Sequence, residues 1–233
     1  MAMFRDRVDA GQRLAAALAK YANEADVLVL ALPRGGVPVG YEVARRLGAP
    51  LDVLVVRKLG VPGHEELAMG AIASGGAQVI DRDIVAMIGV ADDILEHVIE
   101  RETRELERRE RVFRGERGAT PLDVEGKTVV LVDDGLATGS TMLAAVQGLR
   151  TRGPRRIVVA VPVGSPETCA AFRPHVDEIV CLATPQPFYA VGLWYDDFAQ
   201  TSDDEVRELL DRAAREIPPR APAPPVSTAA SPR

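Results

Sequence analysis

Two adjacent carboxylates and a short glycine loop follow an apolar run in residues 129–141, VVLVDDGLATGST. A continuous apolar run that ends in a turn is typical of a strand buried on both faces, as in a parallel sheet. Ser140 or Thr141 is the predicted N-cap of the helix that follows. The start of a helix offers unpaired N–H groups and the positive end of a dipole, so this loop is suited to a phosphate.

The acid pair, Asp133 and Asp134, changes the chemistry expected of this loop. Carboxylates repel a nearby phosphate, so they indicate either a sugar whose hydroxyls they bind or a Mg²⁺ ion. The spacing of Gly135 and Gly139, with no lysine after them, does not match the Walker A pattern. For an isolated DDG the alternative is an ordinary strand–helix turn with a solvated acid pair.

The whole segment resembles the signature of type I phosphoribosyltransferases, which bind 5-phosphoribosyl-1-pyrophosphate (PRPP). In that family two acidic residues hold the ribose hydroxyls, and the loop after them wraps the 5′-phosphate. The resemblance implies that Asp133 and Asp134 are the catalytic, ribose-binding acids. It implies a phosphate loop made of Gly135, Ala137, Thr138, Gly139, Ser140 and Thr141.

A second loop with the residues Pro33, Arg34, Gly35 and Gly36 follows another apolar run at 26–32. Consecutive glycines let a backbone approach a ligand closely, and the arginine adds a cation. Taken alone, the segment is equally compatible with an ordinary strand–helix connection. Beside the first motif it resembles the pyrophosphate loop of the family, and the resemblance implies a cis peptide bond before the arginine.

Two basic residues, Arg57 and Lys58, follow a predicted strand at 51–56, and glycines and prolines predict a loop over 59–68. In the resembled family a mobile loop here closes over PRPP, and basic residues at the strand end contact pyrophosphate. Closure excludes water from a substrate that hydrolyses. A solvated strand end is the alternative for the basic pair, and a solvated loop histidine is the favoured interpretation of His64.

An irregular segment at about residues 184–200 is predicted to be a hood that binds the acceptor base. Aromatic rings can sandwich a flat heterocycle and a carboxylate can accept its N–H, so Tyr189, Trp194 and Asp196 are the candidate contacts. The segment resembles the purine-binding part of hypoxanthine-type members. Ala137 departs from those members, because an Asp commonly handles the proton there. A small satellite core is the alternative for the aromatic residues.

Alternating strands and helices predict an α/β fold, with a mostly parallel, Rossmann-like central sheet flanked by helices and ligand sites at the carboxyl ends of its strands. A helix is predicted over residues 4–21, and Ser74-Gly75-Gly76 predicts a hairpin. Residues 1–217 are predicted to form one domain. Residues 218–233 are rich in proline and alanine and predict a disordered tail.

Residues 92–113 predict a long charged helix with many Glu/Arg pairs at helical spacing. Its apolar stripe is expected to pack on the domain's own surface, and the alternative is an interface in a homodimer or with another partner.

Composition excludes several classes of function. A net charge of −6 argues against nucleic acid as a partner, and 4% aromatic residues leave no stacking platform for single strands. No apolar run approaches the roughly 20 residues that cross a bilayer, and no signal peptide is evident, so a cytoplasmic location is expected.

Together these features predict an enzyme that transfers the 5-phosphoribosyl group from PRPP to a nitrogenous base in nucleotide salvage and releases pyrophosphate. Arg34, Lys58 and Mg²⁺ would stabilise the leaving group. The ion would lie near Asp133 and Asp134, held mostly by substrate oxygens and water, so no tight metal site is expected. The alternatives are a non-catalytic PRPP sensor and an enzyme that makes or hydrolyses PRPP; the latter is disfavoured because no triphosphate-binding motif is present.

Overall fold

The computed structural model describes residues 2–115 and 122–217, except for the side chains of residues 65 and 66. Its helices are α1 (Arg7–Ala17), α2 (Gly36–Leu47), α3 (Arg82–Ile88), α4 (Asp92–Arg114), α5 (Ser140–Arg150), α6 (Pro166–Phe172) and α7 (Asp203–Glu216). Its strands are β1 (Val27–Ala31), β2 (Leu51–Val53), β3 (Val56–Val61), β4 (His64–Ala73), β5 (Ala77–Ile80), β6 (Thr128–Val132), β7 (Arg156–Val163) and β8 (Glu178–Ala183). The tail predicted at 218–233 lies outside the described residues.

Five parallel strands form the central sheet in the order β2-β1-β6-β7-β8. Successive side chains of a strand point to opposite faces of the sheet. On β6, Leu131 packs in a core with α5 and α6, whereas Val130 and Val132 pack in a second core with α1, α2 and α7. The structure therefore confirms the predicted parallel sheet with helices on both faces.

The two central strands, β1 and β6, are paired so that Ala31 lies opposite Val132 at their carboxyl ends. The backbone N–H of Leu32 continues this pairing by donating to the carbonyl of Val132 at 2.9 Å. The loops that follow the two strands therefore start side by side.

A separate antiparallel sheet has the strand order β3-β4-β5. The strand predicted at 51–56 is split, because β2 ends at Val53 in the central sheet and β3 begins at Val56 in this second sheet. The hairpin predicted around Ser74-Gly75-Gly76 is confirmed by the antiparallel pairing of β4 with β5.

The loop predicted over residues 59–68 is wrong, because β3 and β4 form a hairpin there. Only the turn itself requires glycine, and Gly63 adopts a φ of +80°. The side chains of Leu59 and Val61 are buried, at 0% and 3% exposure, with the period of two that is typical of a strand. The many Gly and Pro residues made this pattern hard to see in the sequence.

The first helix is shorter than predicted. The side chain of Asp6 accepts a hydrogen bond from the backbone N–H of Asp9, so α1 begins at Arg7 rather than at Phe4. The helix ends at Ala17 and is followed by a 3-10 turn. The residues before the helix remain free to pair elsewhere in the fold.

The long charged helix is present as α4 and packs on β3 and α7. Four side chains of its stripe are buried in one core with residues of those elements, while Ile94 on the same helix is 45% exposed. The four are Leu95, Val98, Leu106 and Phe113. The favoured prediction, that the stripe packs on the domain itself, is confirmed. Within the described residues no helix is long and apolar enough to cross a membrane.

Candidate active site

The two acidic residues lie directly after β6, at the carboxyl edge of the central sheet. Oδ1 of Asp133 accepts a hydrogen bond from the backbone N–H of Asp134 at 2.9 Å. The pKa of the Asp133 carboxyl lies well above its usual value, mainly because the group is shielded from water and secondly because of the charge on Asp134. Burial also raises the pKa of Asp134, and a cation, Arg7, opposes that shift. The edge of the sheet therefore holds two adjacent acidic side chains that are partly shielded from water.

The glycine loop after β1 lies against this acid pair. A Cβ atom on Gly35 would lie 2.7 Å from Cγ of Asp134, and one on Gly36 would lie 3.1 Å from Oδ1 of Asp133. A side chain at Gly35 would have to displace the Asp134 carboxylate, and one at Gly36 would lie 2.8 Å from the backbone carbonyl of Val132, so only glycine fits this arrangement. The predicted pyrophosphate loop and the predicted ribose acids are thus in direct contact.

Arg34 follows a cis peptide bond with Pro33, as predicted. Its Nη1 lies 3.6 Å from Oδ1 of Asp203 in the first turn of α7, and the two side chains are 39% and 50% exposed. Ion pairs with this much exposure contribute little free energy. The guanidinium therefore remains free to bind an anion in the loop.

The predicted phosphate loop is exposed over most of residues 137–141 and leads into α5. The predicted N-cap is wrong: the helix begins at Ser140, and its N-cap is Gly139, at a φ of +74°. Glycine has no side chain with which to cap the helix, so the first-turn N–H groups stay available to an anion. This difference strengthens the case for a phosphate site.

Helix α6 supports the phosphate loop from behind. The carbonyl of Ala137 accepts a hydrogen bond from Oγ1 of Thr168 at 2.6 Å. The backbone N–H of Leu136 donates to the end of β7 at 2.8 Å, and its carbonyl accepts from the connection between β7 and α6 at 2.9 Å. A Cβ atom on Gly139 would lie 2.6 Å from the ring of Phe172. The loop conformation is therefore fixed by packing as well as by its own residues.

The two basic residues of β3 point in different directions. Nζ of Lys58 donates to Oγ of Ser140 at 2.7 Å, so its ammonium group lies at the phosphate loop. Nε and Nη2 of Arg57 both donate to Oε2 of Glu102 on α4, at 2.9 and 2.6 Å. The structure therefore brings Lys58 to the site and engages Arg57 with the charged helix.

The hood segment forms a satellite core and also reaches the acid pair. The Tyr195 hydroxyl donates to the backbone carbonyl of Asp134 at 2.6 Å, and the same ring is 5.4 Å from that of Phe4. Trp194 stacks on Phe188 at 6.4 Å, against that core. Of the predicted base contacts, Tyr189 is 79% exposed and lies outside the satellite core.

Asp196 is also exposed, and its backbone N–H donates to the carbonyl of Phe4. Sequence reasoning missed two residues of the site, Arg7 and Tyr195. The tyrosine lay within the aromatic segment that drew attention to the hood. The arginine stands among other charged residues at a helix start, where no local pattern distinguishes it.

Two carboxylates, Asp133 and Asp134, are the oxygen donors that the site offers to a metal ion. Among residues 2–115 and 122–217 no group of three or more His, Cys, Asp or Glu side chains is placed to bind one. A pair of carboxylates suits Mg²⁺ that arrives with a phosphorylated ligand, because this ion keeps waters and phosphate oxygens in its shell. His64 lies exposed at the β3–β4 turn, as the favoured interpretation required.

The chain belongs to the phosphoribosyl transferase domain family, whose model matches residues 4–186. The central sheet of five parallel strands flanked by helices agrees with the type I class of that family.

Over 217 residues the chain is 50% identical to the Mycobacterium tuberculosis (strain H37Rv) protein Rv0571c, in a match that covers 93% of this chain and 48% of that protein. The chain thus spans about half the length of this curated relative. Over 131 residues it is 34% identical to the bifunctional protein PyrR of Chloroflexus aurantiacus, covering 55% of this chain and 65% of PyrR.

Among solved structures, the protein TT1426 from Thermus thermophilus is 46% identical and superposes with a TM-score of 0.79. The match covers 90% of this chain and 98% of TT1426. The agreement extends to nearly the whole of that chain, so the same fold is present in a crystal structure.

Proposed function

We propose that this protein transfers the 5-phosphoribosyl group from PRPP to a nitrogenous base, with release of pyrophosphate, in nucleotide salvage. The observation that carries the proposal is the contact between two loops at the ends of neighbouring strands. Gly35 and Gly36 lie against the carboxylates of Asp134 and Asp133, so ribose and pyrophosphate subsites would share one wall. Membership of the phosphoribosyl transferase domain family supports this class of reaction.

Each part of the site has a role in this reaction. The acid pair would accept hydrogen bonds from the ribose hydroxyls and favour positive charge on the ring in the transition state. Residues 137–141 would anchor the 5′-phosphate and thereby orient C1 for attack. Arg34 and Lys58 would stabilise charge on the departing pyrophosphate. Mg²⁺ bound to PRPP would neutralise part of that charge.

The proposal is tested by calorimetric titration with PRPP in the presence and absence of Mg²⁺, followed by assays of pyrophosphate release. Ala137 has no ionisable side chain, so the panel of acceptors includes adenine and orotate as well as 6-oxopurines. Mg²⁺-dependent binding with release for one base is the expected result. Binding with no release for any base favours a PRPP sensor, and no binding at all would overturn the proposal.

The two basic residues of β3 should differ in effect when replaced by methionine. Lys58→Met is expected to weaken PRPP binding by roughly tenfold, because a cation that would bind the pyrophosphate from its place beside Ser140 is lost. Arg57→Met is expected mainly to lower the free energy of unfolding, because it removes one of the two arginines that pair with Glu102, whose side chain is 9% exposed. Calorimetry and urea denaturation of both variants measure the two effects.

Each variant serves as the control for the other, because the two residues are adjacent and carry the same charge. Equal loss of PRPP affinity in both variants would contradict the placement of Arg57 outside the site.

A further inference from the structure

Arg7 links three parts of the structure that are distant in sequence. Its Nε donates to Oδ2 of Asp134 at 2.9 Å, and its Nη1 donates to the backbone carbonyl of Ala199 at 2.7 Å. Its guanidinium carbon lies 3.9 Å from the centre of the Phe198 ring. The side chains of Arg7 and Asp134 are only 12% and 16% exposed, so water screens this ion pair weakly. One planar group therefore contacts both the acid pair and the hood.

The segment before α1 is attached to the hood by its backbone. The carbonyl of Trp194 accepts hydrogen bonds from the N–H groups of Met3 and Phe4, at 2.9 and 3.0 Å. In the other direction, the N–H groups of Asp196 and Asp197 donate to carbonyls of that segment, at 2.9 and 2.8 Å. This pairing brings the start of α1 to the hood and so carries Arg7 to the acid pair.

Within residues 2–115 and 122–217, Arg7 is the cation that pairs with the Asp134 carboxylate. The Tyr195 hydroxyl binds its backbone carbonyl rather than its carboxylate, and Gly35 offers no side chain. The neighbouring Asp133 side chain supplies no positive charge. Arg7 is thus the cation that compensates this partly buried carboxylate, and an uncompensated charge in such a place is costly.

We infer that Arg7 is a positioning residue, which aims the Asp134 carboxylate at the ribose and fixes the hood beside it; this role rests on the proposed function. Two donors in a rigid plane hold two acceptors at a set separation, which a flexible ammonium does less well. The second oxygen of Asp134 is left to accept a hydroxyl of the ligand. Displacement of the hood would disturb the ribose acid, and displacement of the acid would disturb the hood.

The test compares Arg7→Met, Arg7→Lys and a matched control, Arg13→Met. Arg13 lies on the same helix, donates to the Asp9 carboxylate and to the Met3 carbonyl, and lies over the Phe4 ring. It therefore makes the same kinds of contact as Arg7 without reaching the acid pair. The measurements are Mg²⁺·PRPP affinity by calorimetry, hydrogen exchange of the hood residues 194–199, and thermal stability.

Arg7→Met is expected to lower PRPP affinity by about tenfold or more and to speed hydrogen exchange in the hood. Arg7→Lys should recover only part of the lost affinity, because the charge beside Asp134 returns without the planar pair of donors. Exchange in the hood should remain faster than in the wild type, because lysine has no planar face to stack on Phe198. Arg13→Met should leave the PRPP affinity unchanged, even if its thermal stability falls by as much as that of Arg7→Met.

Three results would overturn the inference: unchanged or increased affinity in Arg7→Met, no rescue by Arg7→Lys, or an equal loss of affinity in Arg13→Met. A wild-type protein that does not bind PRPP would instead overturn the proposed function. A double-mutant cycle of Arg7→Met with Asp134→Asn on thermal stability then tests, without any ligand, the geometric premise that Arg7 holds the Asp134 carboxylate. Non-additive losses support the link between the two residues, and additive losses refute it.

Discussion

Asp133→Asn is expected to make the protein more stable while removing most of its affinity for PRPP. The Asp133 carboxyl is half-buried beside another carboxylate; burial and that neighbouring charge raise its pKa, so its ionised form is disfavoured in the folded state. Asparagine keeps the oxygen that accepts the N–H of Asp134 but carries no charge. It loses the strong bonds to ribose hydroxyls, each worth on the order of 10- to 100-fold in affinity.

The gain in stability should depend on pH in a defined direction. Because the folded-state pKa of Asp133 lies above the unfolded value, ionisation costs folding free energy as the pH rises between the two. Below about pH 4 both states are protonated, so the variant should gain nothing there. The gain should grow with pH until the folded-state pKa is passed. Urea denaturation at several pH values, with calorimetry at neutral pH, measures both effects.

Asp177→Asn is the matched control for a hydrogen-bonded carboxylate outside the site. Asp177 accepts the backbone N–H of Ile157 at 2.8 Å and pairs with Arg150 at 2.9 Å. Its replacement should cost a little stability and leave PRPP affinity unchanged. Retained affinity in Asp133→Asn would remove that residue from the ribose subsite.

Gly139→Ala is expected to reduce PRPP affinity on the order of 10- to 100-fold, because a displaced loop loses charge-assisted hydrogen bonds to the 5′-phosphate. The new Cβ would lie 2.6 Å from the ring of Phe172 and 2.8 Å from Cγ2 of Thr168. Phe172 is 4% exposed and packed in the core, so the loop rather than the ring would move. Calorimetry with Mg²⁺·PRPP measures the loss.

Gly76→Ala separates this clash from backbone strain. Gly76 has a φ of +79°, close to that of Gly139, but a Cβ there would meet nothing within 4 Å. Both variants carry the cost of a left-handed alanine, roughly 1–2 kcal/mol. Only Gly139→Ala should add an overpacking cost, about 1–3 kcal/mol in urea denaturation. Equal stability and equal affinity in the two variants would show that α6 does not constrain the phosphate loop.

Much of the fold and the centre of the site could be predicted, because they depend on patterns among residues that are close together in the sequence. The apolar runs before Asp133 and before Pro33 predicted strands buried on both faces, and the central sheet contains both. Parallel strands present their following loops at one edge, so two glycine loops after such strands were expected to lie near each other. The cis peptide before Arg34 came from the family resemblance and is present.

Other features depended on contacts between distant residues and could not be predicted in the same way. The bond from Arg7 to Asp134 spans 127 positions. The hairpin of β3 and β4 was obscured by glycine and proline residues; the pairing continues past Gly60 with a shift of register, and the others lie at the turn. If the predicted strand at 51–56 had been continued through Arg57 and Lys58, the alternation of side chains along a strand would have placed these two residues on opposite faces.

The pairing of β1 with β6 also has a consequence for how the protein folds. Residues 27–31 and 128–132 meet at the centre of the sheet, with α2, the antiparallel sheet and α4 between them along the chain. Such pairing has a high contact order, so its chain entropy must be lost before its contacts form, and it is slow compared with hairpins and helices. During synthesis on a ribosome, β1 cannot pair with β6 until β6 has emerged, and the hood emerges after β6. We therefore expect the nascent chain to acquire ligand binding only after the hood has emerged.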